Sequence, residues 1–282
     1  MSSMQRPYRI GGFNVCCYHS CPQAAAIHTE LKKLHIDAAV VDHAFIISPL
    51  QLAVAVFRVE SNYDIALLAR KTMSEGQQQQ QQHQQQLPIS AGAAPATAAS
   101  STLPGRKMSF SRRIFAALSL THNLDRILQI LPPGPQTSSV VVLYRAPRAP
   151  SAAPLIALAP AEQAAGSSVL DSSAVELERS IESAIQQTVR STNPTAVEHS
   201  FSSMCEPFWR SDAVQYAEES KLMGYYGVSE SMMAAARHSL SRRDVQRVCS
   251  AAVDGSEVAQ RRALRWHTLE LCVTTQLAAC TA

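Results

Sequence analysis

Cys16, Cys17, His19 and Cys21 stand within six positions of one another and are the best metal-binding candidates in the chain. Thiolate and imidazole are the ligands that tetrahedral zinc prefers. The local pattern works against such a site. Residues 8–18 read as a strand, and neighbours on a strand point to opposite faces. Cys16 and Cys17 then cannot serve one ion, so these residues read as buried thiols and no metal is expected. A thiol enzyme built on the same cluster is the corresponding catalytic reading. It requires one thiolate that reacts well before the others. His199 and His267 have no neighbouring carboxylate or cysteine pattern and read as surface or packing histidines. The chain contains no Walker loop, paired-glycine nucleotide fingerprint, HExxH, GxSxG or CxxC, so no catalytic residue is expected.

The basic residues offer different chemistry. Arg106, Lys107, Arg112 and Arg113 border one amphipathic stretch, and Arg70 and Lys71 precede a glutamine tract. If the intervening chain leaves and returns at one place, these charges converge and can hold phosphates. The alternative is a solvated charged face beside a long loop. Net charge is +3, which by itself says nothing about nucleic acid.

The elements that position these residues follow from periodicity. Ser20 and Pro22 open a helix through Leu34, with Ala26, Ile27, Leu31 and Leu34 on one face, and residues 39–41 form a short buried strand. Ser48 and Pro49 mark the next helix start, since a hydroxyl caps free N–H groups and proline lacks only a donor that is unused there. Leu52, Ala55, Val56 and Val59 are its buried stripe, and 64–73 continues as helix. The central stretch reads as helix (Ile114, Phe115, Leu118, Leu120), a turn with Thr121 as cap, and a second helix (Leu124, Ile127, Leu128, Leu131). Pro132 and Pro133 stop it. Val140 to Tyr144 is continuously apolar, as expected of a strand covered on both faces. Ser173 with Glu176 makes a capping box for a helix to Arg190, and 191–210 reads as loop. Helices then follow at 212–223, 229–240, 241–253 and from Ser256, the last with Ala259, Ala263, Trp266, Leu269, Val273 and Leu277 on one face.

Composition bounds the remainder. Hydrophobic residues are 46%, but alanine supplies many of them. Residues 77–104, a glutamine tract and then an Ala/Ser/Pro run, bury too little apolar surface to offset their ordering entropy and are expected to be disordered. Residues 147–210 read as a linker carrying one insertion helix. No apolar run reaches the roughly 18–20 residues that span a bilayer. The first residues show no apolar signal core, and the seven cysteines are odd in number and irregularly spaced. The expectation is free thiols and a place in the cytosol or nucleus.

With these elements in order, the residues resemble a known family. DHAFIISPLQLAVAVFRV, KMSFSRRIFAALSLTHNLDRILQIL and SSVVVLYR, followed by LMGYYGVSESM and a last helix, are similar to the small PRPK-binding subunit of the KEOPS (EKC) complex. That complex adds threonylcarbamoyl to an anticodon-loop adenosine of tRNA. The most specific likeness is the basic-then-apolar helix, the Leu118-Ser119 turn, Asn123 and the short helix before a hydrophobic strand. Ile47, Ser48, Leu50, Gln51, Leu52 and Ala55 also fit. The likeness covers about 8–73, 106–146 and 212–282 and departs in three insertions: 77–104, the stretch between 146 and 210, and much of 231–260. Arg113 stands where family members show a glutamate, which makes that face more basic.

The resemblance implies a single discontinuous α/β domain over 8–282, a small mixed sheet wrapped by helices, with no active site and no cofactor. It implies binding to the N-lobe of a small atypical kinase that acts as an ATPase, indirect contact with other subunits, and help in positioning tRNA, whose acceptor end archaeal relatives hold. Ile127, Ile130 and Leu131, with Leu269, Val273 and Leu277, are then kinase-facing candidates. The alternative is that these residues pack inward. Arg70, Lys71, Arg106, Lys107, Arg112 and Arg113 are tRNA candidates. A stand-alone basic RNA adaptor without a kinase partner is the second functional reading.

Overall fold

The computed structural model describes residues 8–61, 108–121, 123–145, 168–199 (side chains from residue 175), 215–252 and 255–280. The expected helix over 64–73, the disordered 77–104 insertion and the linker at 147–167 lie outside the described residues.

Residues 8–18, expected as one strand, form a hairpin instead. β1 (Tyr8–Ile10) turns through Gly11 and Gly12 into β2 (Phe13–His19), with Ile10 opposite Phe13. Gly11 sits at φ +57°, a conformation that costs glycine little and other residues more. β2 leads through α1 (Ala24–Lys33) to β3 (Ala38–Asp42), and β4 (Ser139–Arg145) inserts between them. β4 pairs along all seven residues of β2, from Phe13↔Arg145 to His19↔Ser139, and along β3 from Ala38↔Tyr144 to Asp42↔Val140. β5 (Val197–His199) extends the sheet beside the end of β2, within the stretch expected as loop.

The sheet, which the resemblance implies is mixed, is antiparallel in every described pairing. The physical reason is the covering of both faces. An apolar run such as Val140–Tyr144 is the usual mark of a parallel strand. In this chain antiparallel strands acquire it because helices lie on each side. The α/β class stands, as a layered sheet-and-helix body.

On one face Cys16, Tyr18, Val40, Val142 and Tyr144 pack on Ile27 and Leu31 of α1 and on Ile185 and Val189 of α5 (Ser168–Thr192). This helix begins ahead of Ser173, so Ser173 is inside it rather than at its cap. On the other face Val15, Cys17, Val41, Val141 and Leu143 meet three helices: α2 (49–61), α3 (Phe110–Ala117) and α4 (Leu124–Ile130). The expected stripe of α2, namely Leu52, Ala55, Val56 and Val59, is buried there. The start of α2 is held as expected: the Gln51 amide N–H donates to Ser48 Oγ at 3.3 Å. The cap of α4 is Asn123, whose Oδ1 accepts from Arg126 N at 3.1 Å, rather than Thr121.

The last segment adds a helical layer. α6 (Glu219–Tyr225), α7 (Glu230–Ser239), α8 (Arg242–Ser250) and α9 (Glu257–Ala279) are capped at three of four starts by Ser229, Ser241 and Ser256. Ile47 packs into this layer with Leu222, Tyr226, Trp266, Leu269, Val273 and Leu277. Gln51 ties it to α2: its Nε2 donates to Tyr226 Oη at 2.6 Å and to Phe45 O at 3.0 Å, while its Oε1 accepts from Ile47 N at 2.7 Å. Tyr225 packs against both the interior under α2, α3 and α4 and that of the last segment, which joins the two.

Candidate partner-binding groove

The short helix α4 is amphipathic, and its inner face is committed to the sheet. Ile127 is 2% exposed and Leu131, just past its end, is 0% exposed. Its neighbours Arg126 and Ile130 face outward across a cleft toward α6. That cleft, about 280 Å³, is floored by Phe45, Ile127, Ile130 and Tyr225, with Arg126 and Lys221 at its rim. Phe45 and Tyr225 meet edge-on at 5.3 Å, and the Lys221 ammonium lies 5.9 Å from the Phe45 ring centre, a cation–π arrangement. The Tyr225 hydroxyl is buried, and among the described residues it has no partner at hydrogen-bond geometry, the Ser119 hydroxyl being only near it. Burial raises its pKa, with the Ser119 hydroxyl and Arg126 acting in the opposite sense. A second hollow of about 190 Å³ lies across the 119–121 turn, between Arg58, Met108, Leu124 and Cys280. The two share the Ser119–Thr121 turn and Ile127, so the helix lies between an apolar floor with cationic edges and a smaller recess.

The other kinase-facing candidates are placed differently. Leu269, Val273 and Leu277 are each 0% exposed and belong to the interior shared by α9, α6 and α2. Together with Ile127 and Leu131 they are corrected from partner-facing to core residues, although Ile127 still forms part of the cleft floor. An apolar stripe read from spacing has a face but no direction, and here the direction is inward. Ile130 alone of the six is partly exposed.

Of the basic candidates, Arg112 is exposed in the first turn of α3, while Arg113 is half-buried and donates from Nη2 to Val59 O at 2.8 Å, closing α2. Their neighbour Asp37 accepts from Phe110 N at 2.6 Å and Ser111 N at 3.0 Å, so an acid sits at the start of this helix. Arg70, Lys71, Arg106 and Lys107 lie outside the described residues.

The thiols divide as strand geometry requires. Cys16 and Cys21 face α1 and α5, and Cys17 faces the opposite layer. Burial pushes the Cys16 thiol up to about 12 and Cys21 up to about 11, and holds Cys17 well above its ordinary value. Such thiols stay protonated near neutral pH, the reverse of what a nucleophile or metal ligand needs. Among the described residues no three His, Cys, Asp or Glu side chains are placed to share a metal ion, and no helix is long and apolar enough to cross a membrane.

Two arrangements escape the sequence pattern. Leu50 and Phe57 are 43% and 67% exposed on α2, on the side away from its buried stripe. A helix that is apolar on nearly every side is the signal that points to such a second stripe. His19, His43 and His199 gather around Tyr216, with ring centres 5.0–5.5 Å from it. Three separated segments supply these histidines, so no local spacing announces them. His267 also differs from expectation, since Glu270 Oε2 lies 3.7 Å from its Nδ1.

Compared with known proteins, the chain matches no family model and no curated relative.

Proposed function

We propose that this chain is a non-catalytic docking subunit that binds and activates the atypical kinase, or ATPase, of a KEOPS-type complex and helps to position tRNA for threonylcarbamoyl-adenosine modification. The reading comes from the resemblance of 42–59, 107–131, 138–145 and 222–232 to the small PRPK-binding subunit. The observation that supports it best is the cleft beside α4. Its floor of Phe45, Ile130 and Tyr225 offers apolar surface to a partner, and Arg126 and Lys221 fix the sign of charge at its edge. Apolar anchors in a concave patch with a polar rim are how docking interfaces concentrate their energy.

The test is co-purification with the kinase and stimulation of its ATPase by the full chain. Ile130 also packs against the sheet-side core, so Ile130→Glu, shown by circular dichroism to be folded, places a carboxylate on the cleft floor and is expected to abolish both. Full-affinity kinase binding by a folded Ile130→Glu variant removes the cleft from the interface. Failure of the unsubstituted chain to bind any such kinase removes the reading itself.

A further inference from the structure

The arginines of this chain are not spread evenly. Residues 237–265 hold seven arginines, no lysine, and three acids (Asp244, Asp254 and Glu257), a net +4. The whole chain carries +3, so the other 253 residues net −1. The excess positive charge therefore resides in the end of α7, in α8 and in the first half of α9.

These elements are close together. α8 and the first half of α9 pack through Val248, Ala252, Ala263 and Leu264, and Leu240 and Val245 join them. With a rise of about 1.5 Å per residue, nine-residue α8 is only about 14 Å long. Arg237 lies in the last turn of α7, which ends at Ser239, and Arg242 and Arg243 open α8 from three residues beyond it. Arg237, Arg242, Arg243, Arg247, Arg261 and Arg262 are all exposed. Arg247 and Arg261 have acidic neighbours, Asp244 at 3.6 Å and Glu257 at 2.5 Å. Arg265 is engaged by Glu219 and Glu230. Arg237, Arg242, Arg243 and Arg262 form no ion pair among the described residues.

Local stability does not account for this placement. Arg242 and Arg243 occupy the first two helical positions of α8, after the Ser241 cap. Cations there oppose the helix dipole, which favours acids at that end. A merely solvated helix surface usually carries lysine as often as arginine. Here, beside Asp244 and Glu257, every cation is an arginine, and arginine suits planar, bidentate recognition of phosphate.

We infer that the exposed face of α7, α8 and α9 binds the phosphate backbone of a nucleic acid. Two competing occupants fit less well. A membrane-surface helix needs an apolar face to insert, but α8 turns Val248 inward and Val258 is the one large apolar side chain strongly exposed among the described residues of this layer. An acidic protein partner would look for an apolar centre within the charged rim, and the same observation denies it one. Arg237, Arg242, Arg243 and Arg247 lie in the stretch that departs from the family resemblance, and Arg261 and Arg262 on the last helix, which it covers. The surface lies apart from the α4 cleft, so it stands independently of the kinase reading.

The experiment is fluorescence anisotropy of a labelled RNA hairpin, and of a DNA duplex of the same sequence, titrated with the full chain at about 50 mM and about 200 mM salt. Binding that weakens steeply with salt is expected, and the RNA and DNA arms decide which nucleic acid is preferred. The triple variant R242Q/R243Q/R262Q is expected to lose at least tenfold in affinity and to flatten the log–log salt slope by about 2–3, near 0.9 for each phosphate contact removed. R242K/R243K/R262K is expected to keep most of the salt slope while losing part of the affinity. Circular dichroism and melting establish that each variant is folded; if the triple is not, R243Q alone is expected to reduce the slope by about 1. Unchanged affinity in a folded variant overturns the inference. So does binding to phosphatidylserine vesicles with no binding to either nucleic acid. Ile130→Glu is expected to bind nucleic acid as the unsubstituted chain does, which separates this surface from the cleft.

Discussion

Arg58 and Arg265 hold the two ends of α9 by opposite means. Arg58, 9% exposed, donates from Nη1 to Ala117 O at 2.5 Å and Ser119 O at 3.2 Å, and from Nη2 to Cys280 O at 3.3 Å. One guanidinium thus closes the C-terminal ends of α3 and α9, where carbonyls lack helical partners and the dipole favours a cation. Burial lowers its pKa, against the pull of nearby groups. Arg265 lies near the surface between Glu219 and Glu230, and hydrogen bonds to those carboxylates raise its pKa. The same side chain is a structural cap where water is excluded and a screened ion pair where it is not. The second half of α9 therefore belongs to the body of the molecule, and the first half is a surface that the body carries.

The strongest way to break this contrast is Arg58→Ala. Losing the guanidinium leaves three carbonyls at two helix ends without their donor. Unsatisfied buried groups cost about 1–3 kcal/mol each before relaxation and water entry, so a loss of about 3–5 kcal/mol is expected in the unfolding free energy measured by urea titration. A loss below about 1 kcal/mol shows that water replaces the cation freely and that the buried end is not closed.

Truncation on either side of the divide sharpens it. Leu269 packs in the interior shared with Tyr226 and Trp266, whereas Leu264 belongs to a cluster of four buried residues with Val248, Ala252 and Ala263. Leu269→Ala is expected to cost about 3–5 kcal/mol and Leu264→Ala about 2 kcal/mol, because a thin cluster collapses around the missing atoms more readily. Hydrogen exchange in the Leu264→Ala chain is expected to rise in α8 and early α9 alone. Equal costs at both positions would remove the distinction between the two halves.

The same contrast explains what was legible in the sequence. Ile27 and Leu31 of α1, the stripe of α2, and Ile114 and Phe115 of α3 were readable because each helix has a face covered by the sheet, and periodicity reports faces. The ends were read less well: α1 itself starts at Ala24 rather than at Ser20 and Pro22, Leu34 is 55% exposed just past its end, and Leu120 lies beyond the end of α3. The serines that open α7, α8 and α9 mark their starts because a hydroxyl followed by an amphipathic run has few other uses. Strand direction was not readable, since an apolar run such as Val140–Leu143 records cover on both sides and says nothing of the neighbour's polarity. For Leu269, Val273 and Leu277 the spacing was right but left open whether α9 faced the body or a partner. The cleft was partly visible through Ile130 and Ile127, but Phe45, Lys221 and Tyr225 come from distant segments. The arginine face was hidden by the mild net charge, which averages a +4 stretch against a slightly acidic remainder.

Burial acts on titration as it does on the arginines. His43 is 0% exposed, and its Nδ1 lies 3.1 Å from Ser139 Oγ, which donates to Tyr18 O at 3.1 Å. Burial, and then the neighbouring His199, push the His43 pKa down from 6.5 to about 3. The unfolded chain takes up this proton first as pH falls. The stabilising contribution is whole above about pH 6.5 and is lost between there and about pH 3, at up to about 1.4 kcal/mol per pH unit. Denaturant midpoints measured from pH 7 to pH 5 are expected to fall, and His43→Gln to flatten that fall. An unaltered pH dependence in the variant assigns the effect to other groups.

The smallest effect is expected where Arg265 meets Glu230. This carboxylate is exposed, and its hydrogen bond with Arg265 lowers its pKa. Glu219 remains to hold the guanidinium when Glu230 is altered, and both charges keep access to water and salt. Glu230→Gln is therefore expected to leave the melting temperature within experimental scatter at physiological ionic strength, with any difference disappearing as salt is added. A clear loss of stability that persists in high salt would mean that the first half of α9 is clamped as firmly as the second. The arginine-rich face would then be a rigid platform built into the body, and the two ends of the helix would differ in chemistry but not in strength.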